Sequence, residues 1–522
     1  MKSLVKKFKI DLTAPAKELD RYWEMCVGSC HAATALRSDW QSQMTRCRRE
    51  LGFKYVRFHG LFNDDMNVVQ QPVPIPGTPL RLCFTYVDVI FDFLLSINMK
   101  PFVELGFMPQ ALASGAKTLF HYKANTTPPK DYGQWGWFIG EFVKHLLERY
   151  GRDEVRSWFF EVWNEPNLGG KDSPAAFWSA DKEEYFKLYE VTARALKAQD
   201  PGLKAGGPAT SNNAWLPEFI AFCKNGGVPL DFITTHSYPT DVEVGYGVED
   251  SGTFANPLEK MNDPEQRAQI MASPEKMAAF FQEMSIYQSH IWERVDRGVL
   301  TKMARRARDE AGELPLYYTE WGSLAGIESD GPFGASFIAK TVLDNTGLVQ
   351  GYSFWAFSDI FEEQGQHPAA FHGGFGLLTQ HGVPKAPYRA FQLLHQLGNK
   401  LYPMLNDGTV DMYPILKEET NVLQALVVNH NSLLHDIEPA ELYIEIPAGI
   451  TVHAADIQRI DAANANALAA WNTLGKPEYL SPSQKAALLA ASELSRETLT
   501  VNANYLAITV PPQGIALINL YL

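Results

Sequence analysis

The chain has 522 residues, of which 46% are hydrophobic and 20% are charged, and its formal net charge is −14 at pH 7. This length accommodates a large barrel with an appended domain, and it buries a core without help from a metal or a disulfide. The negative charge and the lack of a lysine- and arginine-rich run argue against a nucleic acid partner. The sequence contains no uninterrupted stretch of about 18 apolar residues, so we predict no membrane span.

The first residues, "MKSLVKKFKIDLTAP", include lysines but lack the apolar stretch of about 7–15 residues that a secretory signal peptide contains. We therefore expect a cytoplasmic protein. The cysteines are Cys26, Cys30, Cys47, Cys83 and Cys223. Their odd number and their lack of paired metal-ligand spacing indicate structural thiols in the core.

Short apolar runs alternate with amphipathic stretches from about residue 22 to residue 390. The runs predict eight strands, at 23–30, 55–60, 101–107, 158–166, 203–209, 231–239, 316–321 and 349–359. Helical patterns such as "WGWFIGEFVKHLLERYG" separate them and end at glycine or just before proline. Eight apolar strands that alternate with helices predict an α/β fold, a closed parallel (β/α)8 TIM barrel, which we assign to residues 15–392. The long segment 239–300 predicts helical additions over the barrel mouth.

Beyond about residue 395 the pattern changes to period-two alternation, as in "NVLQALVVNH" and "GIALINLYL". This pattern is typical of an antiparallel sandwich. The segment "KKFKIDL" (6–12) alternates in the same way, so we expect it to add a strand to the C-terminal sheet. We predict an accessory antiparallel β-sandwich domain built from residues 1–14 and 393–522. Trp471 is the only tryptophan after residue 355, so the strands of this domain lack an obvious aromatic platform. We therefore interpret the domain as a scaffold or a homo-oligomer contact rather than a glycan-binding module.

The fourth predicted strand ends in "WFFEVWNEP" and the seventh ends in "YYTEW". The chemistry of a parallel barrel lies at the C-terminal ends of its strands, so we expect Glu165 and Glu320 at the mouth. Two carboxyl groups cleave glycosidic bonds, and the retaining mechanism separates them by about 5–5.5 Å. Burial beside Trp163 is expected to raise the pKa of Glu165, which suits a general acid. Glu320 suits a nucleophile, with Tyr238 or His236 as a nearby hydrogen-bond donor.

Neighbouring residues add to this interpretation. Asn164 offers an amide to the sugar 2-hydroxyl, and Pro166 keeps Glu165 out of helical geometry. Glu104 is expected to be a structural carboxylate paired with Arg57. Each glutamate motif alone is more often a turn or capping residue than a catalytic one, but both together at the fourth and seventh predicted strands favour catalysis.

The motifs "YVRFHG", "ELGFMP", "EVWNEPNL", "HSYP", "YYTEWG" and "FWAFSDIFEE" are the basis of a family resemblance. The chain resembles glycoside hydrolase family 39, of the bacterial β-xylosidase type, over nearly its whole length. This family belongs to the retaining (β/α)8 glycosidases. The resemblance implies Glu165 as acid/base and Glu320 as nucleophile. The sugar-binding residues that it implies are His59, Asn164, His236, Tyr238, Trp355, Phe357 and Glu362, with Glu363 beside the last.

We therefore expect an exo-acting β-xylosidase that releases xylose from the non-reducing ends of xylo-oligosaccharides, with retention and without a metal or organic cofactor. One alternative is the same mechanism on an α-L-arabinoside, a β-glucoside or an α-L-iduronide. Another is a catalytically inactive carbohydrate-binding barrel. The α-L-iduronidases of the family must hold a sugar carboxylate, which the negative charges expected at Glu362 and Glu363 would repel. This favours a neutral pentose.

Overall fold

The computed structural model describes residues 4–71, 78–243, 257, 260, 263–502 and 505–522. Eight parallel strands form a closed barrel in which neighbours follow the order of the chain. These strands are Cys26–His31, Tyr55–His59, Lys100–Leu105, Phe159–Val162, Lys204–Thr210, Phe232–Ser237, Leu316–Trp321 and Gly351–Phe354. Each of them overlaps one predicted segment, so the barrel prediction is confirmed.

Helices cover the outside of the barrel, and most of them bury an apolar side there. The helix Tyr132–Tyr150 shows how the sequence sets the ends of these elements: the Asp131 side chain accepts from the Gln134 N–H at its start, and the chain ends the helix at Gly151. The α-helices of the barrel region are Ser38–Leu51, Thr85–Ser96, Tyr132–Tyr150, Arg152–Arg156, Lys182–Gln199, Leu216–Gly226, Pro264–Ile270, Pro274–Arg294, Val299–Ala311, Pro332–Asp344 and Ala386–His395. Among the described residues, no helix is both long enough and apolar enough to cross a bilayer.

Short elements decorate the loops. The 3-10 turns are Tyr22–Glu24, Ala32–Leu36, Asp64–Met66, Ser211–Asn213, Pro239–Glu243, Gly326–Asp330 and Glu418–Thr420. Two small hairpins pair Val69–Gln70 with Arg81–Leu82 and Thr118–Leu119 with Ala124–Asn125. The predicted helical additions between the sixth and seventh strands are present where that segment is described, as Pro264–Ile270 and Pro274–Arg294; residues 244–256 of that segment lie outside the described residues.

The C-terminal part forms two sheets. The larger one contains Lys17–Glu18, Lys400–Leu401, Leu405–Asp407, Val410–Lys417, Val422–Asn429, Ala454–Ile460, Arg496–Thr498 and Gly514–Tyr521, all paired antiparallel. The smaller one contains Leu4–Lys9, Ala440–Glu445 and Tyr505–Val510. The helices Ala467–Thr473 and Pro482–Ala491 interrupt this part of the chain. One apolar core, which includes Phe8, Val427, Leu442 and Ile518, joins the two sheets into the predicted sandwich.

The N-terminal strand departs from the antiparallel prediction. Leu4–Lys9 joins the C-terminal sheet, as the alternation predicts, but it runs parallel to Ala440–Glu445. No hairpin turn connects the two strands, so nothing in the chain path requires an antiparallel pairing. The domain boundaries stay a prediction: Lys17–Glu18, on the barrel side of the predicted boundary, pairs with the larger sheet, and residues 1–3 lie outside the described residues.

The interior of the barrel has an aromatic floor beneath a polar layer. The rings of Phe102 and Phe159 stack with their centroids 5.1 Å apart, and Phe232 packs edge-on against both. Charged side chains fill the barrel between this floor and the mouth. The fully buried Arg57 is one of them. All five cysteines are free thiols, and all except Cys83 are buried.

Candidate active site

The two predicted catalytic glutamates face each other across the barrel mouth. Glu165 follows the fourth strand, where its N–H donates to the Ala209 carbonyl at 2.9 Å, and Glu320 lies within the seventh strand. One carboxyl oxygen of each lies within 4.8 Å of the other, with the His236 ring beside both. This separation is close to the about 5–5.5 Å of retaining glycosidases and well below the about 6.5–9.5 Å of inverting ones.

Arg57 is the centre of the polar layer. Its guanidinium contacts the Glu161 carboxylate, lies 2.8 Å from both Glu320 Oε1 and Asn164 Oδ1, and lies 3.0 Å from Glu104 Oε2. The predicted Arg57–Glu104 pair is therefore confirmed. Because the donors of a guanidinium form a rigid planar fork, one side chain fixes four groups that come from the third, fourth and seventh strands or their ends.

Glu320 is surrounded by donors. Besides Arg57, the Tyr238 hydroxyl donates to Glu320 Oε2 at 3.0 Å, as the sequence predicts. His59 Nε2 lies 3.6 Å from Glu320 Oε1. A neighbouring positive charge and donated hydrogen bonds stabilise negative charge on this carboxylate.

Glu165 has the opposite environment, because no fixed positive charge contacts it among the described residues. It is 7% exposed. Burial raises the pKa of Glu165 to about 7, although the more distant charges of His59 and Arg57 act in the opposite direction. Near neutral pH this group therefore holds a proton that it can transfer.

A chain of hydrogen bonds shows which side chain, Glu165 or His236, carries the proton between them. The Thr319 hydroxyl donates to the arginine-paired Glu161 carboxylate at 2.7 Å, so its oxygen is left to accept from His236 Nε2 at 3.1 Å. Burial lowers the pKa of His236 to about 4, which makes the ring neutral. A neutral imidazole with its proton on Nε2 accepts at Nδ1. The 2.9 Å contact between His236 Nδ1 and Glu165 Oε1 therefore carries a proton that belongs to Glu165.

Several of the predicted sugar-binding residues lie around Glu165 and Glu320, and we call the space between them the pocket. The rings of His59 and Trp355 lie with their centroids 4.5 Å apart. His59 Nδ1 lies 2.7 Å from Glu104 Oε2; burial alone would lower the pKa of His59, but the negative charge of Glu104 raises it overall. Asn164 Nδ2 is buried and has no hydrogen-bond partner among the described residues, which leaves a donor available to a bound hydroxyl.

Phe357 is not brought into the pocket. Its ring packs edge-on against Trp40 in the core, with the centroids 5.1 Å apart. The role of Phe357 was implied by the family resemblance alone, and the eighth strand was predicted to run to residue 359. The strand ends at Phe354, so period-two alternation no longer applies to the residues that follow.

The structure places Glu363, rather than Glu362, at the pocket. Glu363 Oε1 lies 3.7 Å from His59 Nε2, whereas the more exposed Glu362 pairs with Arg37 at 3.2 Å. Burial raises the pKa of Glu363 to about 8, with Glu320 and Glu165 acting in the same direction against His59. Glu363 is thus mostly neutral at pH 7 and the charge of Glu362 is compensated. The repulsion of a uronate by these two side chains is therefore smaller than expected, and the preference for a neutral pentose stays a prediction.

Residues of the site that were missed from the sequence include Glu161, which contacts Arg57 and accepts from Thr319. Thr319, directly before Glu320, fixes the His236 tautomer. Asp241 accepts from the Tyr238 N–H at 2.8 Å, and burial raises the pKa of Asp241 to about 7. Thr319 belongs to "TEW", Glu161 belongs to "EVWNEPNL" and Asp241 follows "HSYP" closely, and this position in the sequence is the one signal that points to them.

One group among the described residues has the spacing of a metal site, namely Glu165, His236 and Glu320. The Arg57 guanidinium already donates to Glu320 at 2.8 Å. A cation at the centre of this group would be repelled by that fixed positive charge. The donor set therefore fits a proton better than a metal ion.

A closed (β/α)8 barrel with two facing buried glutamates at its strand ends is the arrangement of a barrel-type glycoside hydrolase. The family model "Glycosyl hydrolases family 39" matches residues 6–271 and 271–504. The chain belongs to this family.

Similar proteins cover nearly the whole chain. A β-xylosidase from Caldicellulosiruptor saccharolyticus is 42% identical, over 99% of this chain and 98% of the relative. A β-xylosidase from Geobacillus stearothermophilus is 34% identical, over 90% of this chain and 86% of the relative. A solved structure, a monomeric β-xylosidase from Caulobacter crescentus CB15, aligns with a TM-score of 0.78 at 30% identity, over 99% of both chains. The chain is thus a glycoside hydrolase.

Proposed function

We propose that the protein is a retaining exo-β-xylosidase that releases xylose from the non-reducing ends of xylo-oligosaccharides. The observation that carries the mechanism is the pair of facing, buried carboxyl groups, one paired with an arginine and the other without a contacting positive charge among the described residues. The similarity to β-xylosidases supports the choice of xylose as the glycone. Cytoplasmic location and homo-oligomeric assembly stay predictions.

The reaction has two displacements. In the first, Glu320 attacks the anomeric carbon while the glycosidic oxygen takes the proton of Glu165 and departs with its sugar. In the second, the ionised Glu165 removes a proton from water, and that water attacks the same carbon and frees Glu320. Two inversions leave the released xylose in the β configuration. Before the first step, His236 Nδ1 accepts a hydrogen bond from the protonated Glu165, and the His236 ring stays neutral throughout.

A panel of nitrophenyl glycosides tests the choice of substrate. We expect the β-xyloside to be hydrolysed with a higher kcat/KM than the α-L-arabinoside, the β-glucoside and the α-L-iduronide. Nuclear magnetic resonance of the first product should show β-xylose before mutarotation. Faster cleavage of another glycone would contradict the substrate proposal, and no turnover of any would favour a binding barrel.

Paired substitutions test which loop glutamate binds the sugar. We expect Glu363→Ala to lower kcat/KM for nitrophenyl β-xyloside by about 10–100-fold, because one or two buried hydrogen bonds to the sugar are lost. Glu362→Ala is expected to change it by less than about threefold, since this side chain pairs with Arg37 at the exposed rim. Steady-state kinetics of the two variants measure both effects. A larger loss of kcat/KM in Glu362→Ala than in Glu363→Ala would show that Glu362 binds the sugar.

A further inference from the structure

The outer face of the smaller sheet carries a pair of exposed tyrosines. Tyr443 lies in the strand Ala440–Glu445, and Tyr505 lies in the neighbouring strand Tyr505–Val510. Tyr443 is 38% exposed and Tyr505 is 39% exposed. Their ring centroids lie 5.7 Å apart, and the ring planes are inclined by 33°. The antiparallel register places the two residues diagonally on one face of the sheet, so both rings are open to the same ligand.

The two tyrosines line a cavity on this outer face. The volume of the cavity is about 620 Å³, within the range of about 300–1,000 Å³ typical of small-molecule sites. Lys7 and Glu445 line it beside the tyrosines, and residues 446–450 form its remaining wall. None of these residues belongs to a barrel strand. The cavity is therefore separate from the pocket that holds the two catalytic glutamates.

A turn fixes the loop wall of the cavity. The Ile450 N–H donates to the Pro447 carbonyl at 3.3 Å. Gly449, the third residue of this turn, has a φ of 83°. A type II turn requires a positive φ at its third residue, and glycine adopts that value without a steric cost. The loop thus forms a wall before any ligand binds.

The polar groups around the cavity define what it can hold. Lys7 offers an ammonium group, Glu445 offers a carboxylate, and each tyrosine offers a hydroxyl group. Among the described residues, no hydrogen bond or ion pair occupies these four side-chain groups. One positive and one negative group balance each other, whereas a polyanionic ligand needs clustered cations. Exposed aromatic rings beside hydrogen-bond donors and acceptors fit a neutral ligand that has both C–H faces and hydroxyl groups.

We infer that this cavity binds a β-1,4-linked xylo-oligosaccharide at a second site, on the accessory domain. Tyr443 and Tyr505 stack against the sugar rings, and Lys7 and Glu445 hydrogen-bond the hydroxyl groups. The choice of xylose units rests on the proposed β-xylosidase function, but the presence of the site does not. The sequence interpretation of the domain as a scaffold was based on the scarcity of tryptophan, whereas this surface consists of tyrosines that distant segments bring together.

Native electrophoresis in gels that contain soluble linear xylan tests this site. A long xylan chain has many internal units for each non-reducing end, so the barrel pocket contributes little to the retardation of the protein. In a Glu320→Ala background, which leaves the xylan intact, we expect the full chain to be retarded. Tyr443→Ala/Tyr505→Ala should raise the dissociation constant by at least about tenfold, because both stacking rings are lost. The same pair of substitutions in the active enzyme should leave kcat/KM for nitrophenyl β-xyloside within about twofold.

Three further variants separate binding from folding. Tyr443→Phe/Tyr505→Phe keeps both rings and should keep the dissociation constant within about threefold. Tyr505→Ala alone, at the edge of the sheet, should raise it by at least about threefold. Tyr479→Ala is the matched control, because Tyr479 is 73% exposed and does not line the cavity. This control should be retarded as strongly as the parent protein, and the unfolding temperatures of all these variants should agree.

Equal retardation of the parent protein and the double alanine variant would overturn the site. A change of oligomeric state in that variant, measured by light scattering, would also overturn it and assign the face to a contact between copies of the chain. If the wild-type enzyme cleaved no β-xyloside but tyrosine-dependent retardation persisted, the proposed function would fail and the second site would stand.

Discussion

Replacing Glu320 with alanine is expected to lower kcat/KM for nitrophenyl β-xyloside by at least about 10⁴-fold, since removal of a covalent nucleophile costs up to about 10⁶-fold. The protein should still fold, because the other partners of Arg57 remain in place. Added azide should restore turnover, since the vacated space opens beside the anomeric carbon. The product should be the α-glycosyl azide, because azide then attacks in a single inverting step.

The control for this variant is Glu328→Ala, which removes an exposed glutamate from the loop after the same strand. It should retain wild-type kinetics and form no azide adduct. A β-glycosyl azide from Glu320→Ala would show that the two glutamates have the reverse roles.

Replacing Glu165 with alanine should give a loss that depends on the leaving group. For xylobiose, whose departing alkoxide needs a proton, we expect kcat/KM to fall by about 10²–10⁴-fold. For dinitrophenyl β-xyloside, whose leaving group is stable as an anion, the loss should be below about tenfold. Azide should yield the β-glycosyl azide, because Glu320 still forms the glycosyl-enzyme. The exposed Glu183 offers a matched control as Glu183→Ala.

The pH profile gives a second measure of the same role. Burial raises the pKa of Glu165 to about 7, and the acid works only while it is protonated. In the wild-type enzyme, kcat/KM for xylobiose should therefore be full below about pH 7 and fall about tenfold per pH unit above it. For dinitrophenyl β-xyloside, whose leaving group needs no proton, the wild-type enzyme should show no such decline, and in Glu165→Ala the decline for xylobiose should disappear at its low residual rate. A wild-type profile that rises through pH 7 would contradict the acid role.

The barrel could be predicted from the sequence because its strands are buried on both faces and read as apolar runs. The two glutamates could be placed because the ends of parallel strands meet at one mouth. Glu165 and Glu320 are 155 residues apart in the chain, yet one carboxyl oxygen of each lies within 4.8 Å of the other.

Residues beyond the strand ends were less predictable. The role of Phe357 came from the family resemblance alone, and this residue lies beyond Phe354, where the eighth strand ends. The choice between Glu362 and Glu363 depends on the path of a loop, and adjacent residues in a loop have no fixed side. Arg37, which pairs with Glu362, comes from a different part of the chain, and no local pattern connects the two.

The parallel pairing of Leu4–Lys9 with Ala440–Glu445 has a consequence for synthesis on the ribosome. At about 5–20 residues per second, the partner strand emerges roughly 20–90 s after the first one. Throughout that interval the strand Leu4–Lys9 has unpaired backbone groups, which promote aggregation with other nascent chains. Lys6, Lys7 and Lys9 give the unpaired strand a positive charge that repels other copies of it, so these lysines disfavour self-association until Ala440–Glu445 has been synthesised.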